Sequence, residues 1–195
     1  MTLPNKLTVL RLILIPFFVL FLMLPINLGQ IEAFGAVLPV TQLIACLIFI
    51  FASITDFLDG YIARRDNLVS NFGKFADPLA DKLLVLTALI LLIEMNQVSA
   101  WIVAIIVARE LAITGLRTLL VEHGGVVMAA QWPGKIKTIT QMLAIILLLL
   151  NDLPFAFLDF SVGTLFIYVC LFFTIYSGID YFYQARFLFE DLFEK

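Results

Sequence analysis

The sequence contains few charged and few nucleophilic side chains, and each shortage excludes a class of protein. Only 14% of the 195 residues are Asp, Glu, Lys or Arg, whereas 63% are hydrophobic. Because a soluble domain carries about 25% charged residues, we expect lipid rather than water to surround this chain. A single histidine and two separated cysteines, Cys46 and Cys170, give no basis for a disulfide, a thiolate metal site or a histidine-activated nucleophile.

Six apolar stretches predict six transmembrane helices. Three of them, 12–31, 33–55 and 160–179, run about one bilayer thickness without a charge. The other three, 83–93, 98–121 and 136–151, are shorter or interrupted by charges. No small-residue cleavage site follows the first stretch, so we expect it to be retained. The predicted fold is all-α: one polytopic membrane domain over 1–195, whose six helices enclose a polar cavity open to the cytoplasm.

The basic residues predict the orientation in the membrane. The connections near 26–38, 94–100 and 151–160 contain no Lys or Arg. The remaining side carries the cations Lys6, Arg11, Arg64, Arg65, Lys74, Lys82, Arg117, Lys135, Lys137, Arg186 and Lys195. Since cytoplasmic loops are enriched in Lys and Arg, both termini and the basic loops are expected to face the cytoplasm.

Four aspartates flank the predicted cytoplasmic loop between the second and third helices. Asp56 and Asp59 are three residues apart, and Asp77 and Asp81 are four apart, so each pair shares a helix face. Four carboxylates with few adjacent bases repel one another. Hard divalent ions such as Mg²⁺ or Mn²⁺ relieve that repulsion, and a set of this size can hold two of them.

Small residues accompany the aspartates and favour a phosphate-bearing ligand. Gly60 follows Asp59 and has no side chain, so a ligand can approach the backbone closely there. Ala63 carries only a methyl group on the same helix face. Gly73 is expected just before the third helix, whose N-terminal amides favour phosphate. Arg64 adds a cation.

A purely structural interpretation is also open. Asp77 could cap a helix that starts at Pro78. Arg64, Arg65 and Lys74 could simply pair with the aspartates. This interpretation accounts for one or two residues at a time, whereas ionisable groups at membrane depth are usually functional.

The pattern D-x2-D-G-x2-A-R-x8-G-x3-D-x3-D, from Asp56 to Asp81, resembles the signature of the CDP-alcohol phosphotransferase family. The resemblance implies a six-helix membrane enzyme, often a homodimer, with two metal ions. It implies that Asp81 is the general base, with a place among the metal ligands Asp56, Asp59 and Asp77 as the alternative. It also implies a set of CDP-binding residues: Asp56, Asp59, Gly60, Ala63, Arg64, Gly73 and Asp77.

Three further segments, 4–11, 108–117 and 134–141, resemble the bacterial phosphatidylglycerophosphate synthases of that family. Transfer of a phosphatidyl group from CDP-diacylglycerol to sn-glycerol 3-phosphate in the bacterial cytoplasmic membrane is therefore expected. A dianionic acceptor needs cations beyond those serving the donor, and four are available: Arg109, Arg117, Lys135 and Lys137. Glu110 is expected to pair with Arg109 or Arg117. Alternatively, Lys135 and Lys137 only anchor the chain to anionic lipid.

Two other functions stay open at this point. The same chemistry could use serine or an inositol phosphate as acceptor. An ion or proton transporter could use the acids as a relay, but it would spread ionisable residues through the membrane thickness. Here they gather on one side. The expected partners are the two substrates, membrane lipid and a second copy of the chain, and no nucleic acid is expected.

Overall fold

The computed structural model describes residues 3–33, 35–66, 71–122 and 132–186, without the side chains at 57–78, at 81 and at a few positions next to these gaps. Six α-helices and one two-stranded hairpin lie within these residues. In chain order they are α1 (Leu3–Met23), β1 (Gln30–Ala33), β2 (Ala36–Pro39), α2 (Val40–Asp66), α3 (Asn71–Glu94), α4 (Ala100–Glu122), α5 (Trp132–Leu149) and α6 (Val162–Gln184), with a short 3-10 turn at Leu153–Phe155. The chain is therefore mostly helical, as predicted.

Two of the described helices are long and apolar enough to cross a membrane, namely Asn5–Met23 within α1 and Val162–Gln184. The apolar part of α2, Val40–Asp56, is shorter. α6 exposes large side chains such as Phe172 and Ile179, which are 64% and 67% accessible. Apolar faces of this extent suit contact with lipid. Six spans in one membrane remain a prediction.

The hairpin between α1 and α2 corrects the predicted spans 12–31 and 33–55. α1 ends at Met23, two residues before Pro25. β1 and β2 then pair antiparallel, with Gln30 opposite Pro39. Proline lacks the N–H that a continuing helix needs. Gly35 takes a φ of 85° at the turn, a conformation that glycine adopts most readily.

α3 begins earlier than predicted. Its first residue is Asn71, so Gly73 lies inside the first turn rather than before the helix. The helix continues unbroken through Pro78, so Asp77 does not cap a helix start. Asp77 and Asp81 therefore lie on continuous helix one turn apart, which supports the shared face expected for them.

The chain divides into two compact units. In the first, Met1–Gln97 with Ile145–Gly163, α1 packs against α2 and α3, and the rings of Phe18 and Phe49 lie 6.0 Å apart between centroids. In the second, Val98–Ala144 with Thr164–Lys195, an apolar cluster joins α4 to α6. Its members are Ile113, Leu116, Leu120, Tyr181 and Ala185.

The side chain of Asn151 joins three segments of the first unit. Its Oδ1 accepts hydrogen bonds from Gln42 Nε2 at 2.9 Å and from Gln97 Nε2 at 2.8 Å. Its Nδ2 donates to the carbonyl of Val37 in β2 at 2.9 Å. Asn151 also has a φ of 52°, which asparagine tolerates better than most residues. One amide therefore ties the hairpin and the α3–α4 connection to the end of α5.

Replacing Asn151 by alanine should destabilise the protein. Three hydrogen bonds are lost, two of them partly buried, and each is worth about 0.5–1.5 kcal/mol net. For a chain of this size we expect the melting temperature in detergent to fall by about 4–10 °C. Thermal unfolding followed by tryptophan fluorescence measures the shift.

Asn96→Ala is the matched control, because Asn96 is exposed and has a φ of 58° but no side-chain hydrogen bond is found for it in the described residues. The change in its melting temperature reports only the cost of placing alanine at a positive φ. Equal shifts in the two variants would show that the hydrogen bonds of Asn151 contribute nothing.

Candidate active site

Asp56 is held by a buried arginine from the first helix. Arg11 Nη1 lies 2.6 Å from Asp56 Oδ1, and the Arg11 side chain is 0% exposed while that of Asp56 is 34% exposed. A guanidinium inside packed apolar helices requires an anionic partner. Arg11 was predicted to be a cytoplasmic cation and part of the segment 4–11 that carries the resemblance, but no partner was predicted for it. The available signal was a single arginine within an apolar helix.

For the other three aspartates, the structure describes the backbone alone. Asp59 lies in α2 with Asp56, and Asp77 and Asp81 lie in α3. α2 ends at Asp66 only five positions before α3 begins, so both carboxylate-bearing ends are close in the chain. The side chains of Asp59, Asp77 and Asp81 lie outside the described residues. So do those of the other predicted CDP ligands, Gly60, Ala63, Arg64 and Gly73.

The donor set fits a hard divalent cation. Among the side chains that the structure describes, no three His, Cys, Asp or Glu lie together, and Asp56 is the one motif aspartate in that set. The motif contains four aspartates and no histidine or cysteine. Carboxylates are the ligands that Mg²⁺ and Mn²⁺ prefer. Asp56 is half-buried and oriented by Arg11. These features suit a metal ligand as well as they suit an ion pair.

The second unit contains a buried charge cluster made by α4, α5 and α6. Glu110 Oε1 accepts a hydrogen bond from Arg109 Nη1 at 2.9 Å and from Lys137 Nζ at 2.5 Å. Arg109 Nη2 donates to the hydroxyl oxygen of Ser177 at 2.8 Å. We call Arg109, Glu110, Lys137 and Ser177 the arginine–lysine cluster. Glu110 was predicted to pair with Arg109 or Arg117, and it pairs with Arg109. Its second partner, Lys137, was not predicted.

This cluster has one more positive than negative charge and little contact with solvent. The side chain of Lys137 is 4% exposed, and those of Arg109 and Glu110 are 17% and 20% exposed. Arg109 Nε is buried and has no hydrogen-bond partner among the described residues. Coulombic attraction is strong where water is scarce. The cluster is therefore suited to bind an anion.

Two glycines make room for Arg109. A Cβ at Gly134 in α5 would lie 3.8 Å from Arg109 Nη2, and one at Gly178 in α6 would lie 3.4 Å from Arg109 Cγ. The arginine side chain therefore runs close to the backbone of both helices. Any side chain much larger than alanine at either position would push it aside.

Two of the four predicted acceptor cations lie elsewhere. Lys135 is exposed, with its ammonium 5.3 Å from the centroid of the Trp132 ring. Arg117 is exposed beside Tyr181, with 5.7 Å between its guanidinium carbon and the ring centroid. Lys135 fits the alternative role of a lipid anchor, whereas the burial of Lys137 does not. Trp132 and Trp101 both lie in the first turn of a helix.

A cavity of about 680 Å³ lies between α4 and α6. Arg109 forms part of its wall, with Ala108, Ala112 and Gly178 among the small residues that shape it. Most of its lining is apolar, so it differs from the polar chamber predicted from the sequence. That chamber stays a prediction.

Comparisons with known proteins agree with the motif. Residues 1–176 match the model of the family described as CDP-alcohol phosphatidyltransferase. A CDP-diacylglycerol–glycerol-3-phosphate 3-phosphatidyltransferase of Bacillus subtilis (strain 168) is 49% identical over 180 residues, which cover 92% of this chain and 93% of the relative. Proteins with the same name from Sodalis glossinidius and Rickettsia typhi are 38% and 39% identical, covering 100% and 94% of this chain and 98% and 97% of theirs. The chain therefore belongs to the CDP-alcohol phosphatidyltransferase family.

Proposed function

We propose that this protein transfers the phosphatidyl group of CDP-diacylglycerol to a hydroxyl of sn-glycerol 3-phosphate, giving phosphatidylglycerophosphate and CMP. The observation that carries the choice of acceptor is the arginine–lysine cluster, whose surplus positive charge is buried. An acceptor with a phosphate supplies the matching anion. Relatives that are 38–49% identical over nearly their whole length are named for the same reaction, which supports this choice.

On the donor side, the family motif supplies the residues for the nucleotide and the metal. Asp56, Asp59 and Asp77 would hold one or two Mg²⁺ or Mn²⁺ ions. When bound, these ions neutralise charge on the diphosphate and on departing CMP. Arg11 keeps the Asp56 carboxylate in one orientation, so fewer rotamers are lost when a ligand binds. Gly60, Ala63, Arg64 and Gly73 complete the proposed CDP site.

The acceptor hydroxyl attacks the phosphorus that bears the diacylglycerol. A P–O bond to the acceptor forms, the P–O bond to CMP breaks, and CMP leaves with the bonding electron pair. We assign the hydroxyl proton to the carboxylate of Asp81, one helical turn beyond Asp77 in α3. The backbone course of α3 supports this assignment, since residues 77 and 81 of one continuous helix share a face.

We place the protein in the bacterial cytoplasmic membrane as a polytopic chain, with its active site and both termini facing the cytoplasm. Two membrane-capable helices and the concentration of Lys and Arg on one predicted side support this topology. The lipid donor then reaches the site from within the bilayer, and the water-soluble acceptor reaches it from the cytoplasm. A homodimer is proposed from the family resemblance.

The aspartate roles are separable by isosteric variants. Asp59→Asn and Asp77→Asn should weaken activation by Mg²⁺ or Mn²⁺ and abolish CMP release. Asp81→Asn should keep metal activation and CDP-diacylglycerol binding near normal, yet lower kcat by about 10²- to 10⁴-fold, because an amide cannot accept the proton. CMP release, metal titration and donor binding are measured on each purified variant.

Asp66→Asn, on the same helix as Asp59 but outside the motif, serves as the control and should stay active. If donor binding and metal activation collapse together in Asp81→Asn, Asp81 is a metal ligand rather than the base. Full wild-type activity after exhaustive chelation would contradict the metal site itself.

The acceptor is tested by CMP release with glycerol 3-phosphate, serine, inositol and inositol phosphate in parallel. Glycerol 3-phosphate should be the productive acceptor. Lys137→Gln should raise its KM by roughly 10- to 150-fold, the value of one desolvated charge-assisted contact. The KM for CDP-diacylglycerol should change little, because the donor depends on the aspartates.

Arg186→Gln is the matched control, since Arg186 is an exposed cation of the same unit with its guanidinium carbon 4.9 Å from the Tyr183 ring centroid. It should leave both KM values unchanged. A rise of both KM values in Lys137→Gln would indicate damage to the fold instead of a lost acceptor contact. A preference for serine or inositol would contradict the proposed acceptor.

A further inference from the structure

Ser177 is a buried hydroxyl of α6 that neither the family motif nor the acceptor segments include. It is 6% exposed, and its oxygen accepts the hydrogen bond from Arg109 Nη2 at 2.8 Å. Arg109 and Ser177 are 68 positions apart and lie in different helices. The contact therefore fixes the arginine of α4 against a helix that carries none of the predicted acceptor residues.

The geometry of the hydroxyl makes it an acceptor toward Arg109. Ser177 Oγ donates its single proton to the carbonyl of Phe173, one turn earlier in α6, at 2.5 Å. A hydroxyl has one donor and two acceptor positions. With the proton engaged on the helix backbone, the lone pairs remain for the guanidinium. Serine at this position thus orients Arg109 without adding a charge.

Ser177 and Glu110 hold two different nitrogens of the same guanidinium. Nη1 donates to Glu110 and Nη2 donates to Ser177, which together fix both the position and the plane of the group. Nε is left buried without a described partner. A guanidinium has five N–H donors in one plane, so holding two of them fixes the plane in which the other three lie, which suits a bidentate contact with a phosphate.

We infer that Ser177 is a positioning residue that orients Arg109 toward the phosphate of the acceptor. The inference rests on the proposed function, because it takes glycerol 3-phosphate as the anion bound by the arginine–lysine cluster. It adds a residue of α6 to a site otherwise supplied by α4 and α5. Ser177 itself touches neither the acceptor nor the reacting phosphorus.

The test compares Ser177→Ala, Ser177→Thr and Thr174→Val in the full-length protein in detergent. Ser177→Ala removes the acceptor oxygen with little change in volume, and Ser177→Thr restores it. Thr174 lies one turn earlier in α6 and is fully buried, but its hydroxyl contacts Cys170 Sγ at 3.8 Å rather than Arg109. Thr174→Val therefore removes one buried hydroxyl of the same helix outside the cluster.

For Ser177→Ala we expect the KM for glycerol 3-phosphate to rise about 3- to 10-fold, less than for the loss of a direct charge-assisted contact, because Ser177 acts through Arg109. The KM for CDP-diacylglycerol should be unchanged. The inhibition constant of inorganic phosphate, measured in competition with glycerol 3-phosphate, should rise by a similar factor, because phosphate shares only the anionic group of the acceptor. Ser177→Thr should restore both values, and Thr174→Val should leave both unaltered.

An unchanged KM for glycerol 3-phosphate in Ser177→Ala, with an active wild type, would overturn the role of Ser177 and leave the proposed function standing. Parallel changes in Ser177→Ala and Thr174→Val, with lower melting temperatures in both, would assign Ser177 to helix packing instead and overturn the inference. A wild type that transfers nothing to glycerol 3-phosphate would overturn both proposals.

Discussion

One oxygen of the Glu110 carboxylate accepts hydrogen bonds from two cations, and the charged interior of the second unit depends on that contact. Arg109 and Lys137 come from different helices and have little contact with water. A buried ammonium without a counter-ion is costly, and removing one partner of a buried pair typically destabilises a protein by about 3–5 kcal/mol. Glu110 therefore offsets the cost of placing both cations there.

The same carboxylate also limits the charge of the cluster. Two cations and one anion leave a single positive charge, which the described residues do not neutralise. Such a cluster tolerates the absence of ligand and still attracts a phosphate. Ser177 is proposed to orient the Arg109 guanidinium toward the phosphate without changing the charge of the cluster. The balance of charges and hydrogen bonds explains how the arginine–lysine cluster is stable between helices that are otherwise apolar.

In the first unit, a buried cation offsets the charge of an acidic group, whereas in the second unit an acid offsets two cations. Asp56 belongs to an acidic motif, and the buried Arg11 offsets its charge and fixes its orientation. At another place in the unit, Asn151 satisfies backbone and side-chain groups of three segments through one amide. Polar groups in an apolar protein are stable where each has a defined partner. For Arg11, Lys137 and Asn151 those partners are distant in sequence.

The apolar stretches were sufficient to predict a mostly helical chain, because long runs of hydrophobic residues leave few other structures. They were misleading at the hairpin, since apolar residues continue through 24–39. The break is signalled there by Pro25, Asn27, Pro39 and two glycines. For the site, the adjacency of Arg109 and Glu110 made their pairing predictable.

Pairing across helices was not predictable from one sequence. Lys137 lies 27 positions from Glu110, and Ser177 is one of several hydroxyl residues in α6. No local pattern marks which of them faces a charge. Likewise, Arg11 gave a signal as a lone cation in an apolar helix, but its partner Asp56 depends on how α1 packs against α2.

The central claim, phosphatidyl transfer to glycerol 3-phosphate, is tested most directly by following the acceptor's own phosphorus. Purified protein is given CDP-diacylglycerol, Mg²⁺ and glycerol 3-phosphate labelled in its phosphate. The account predicts that the label enters the lipid fraction as phosphatidylglycerophosphate, one label for each CMP released. CMP release while the label stays in the aqueous phase would contradict it.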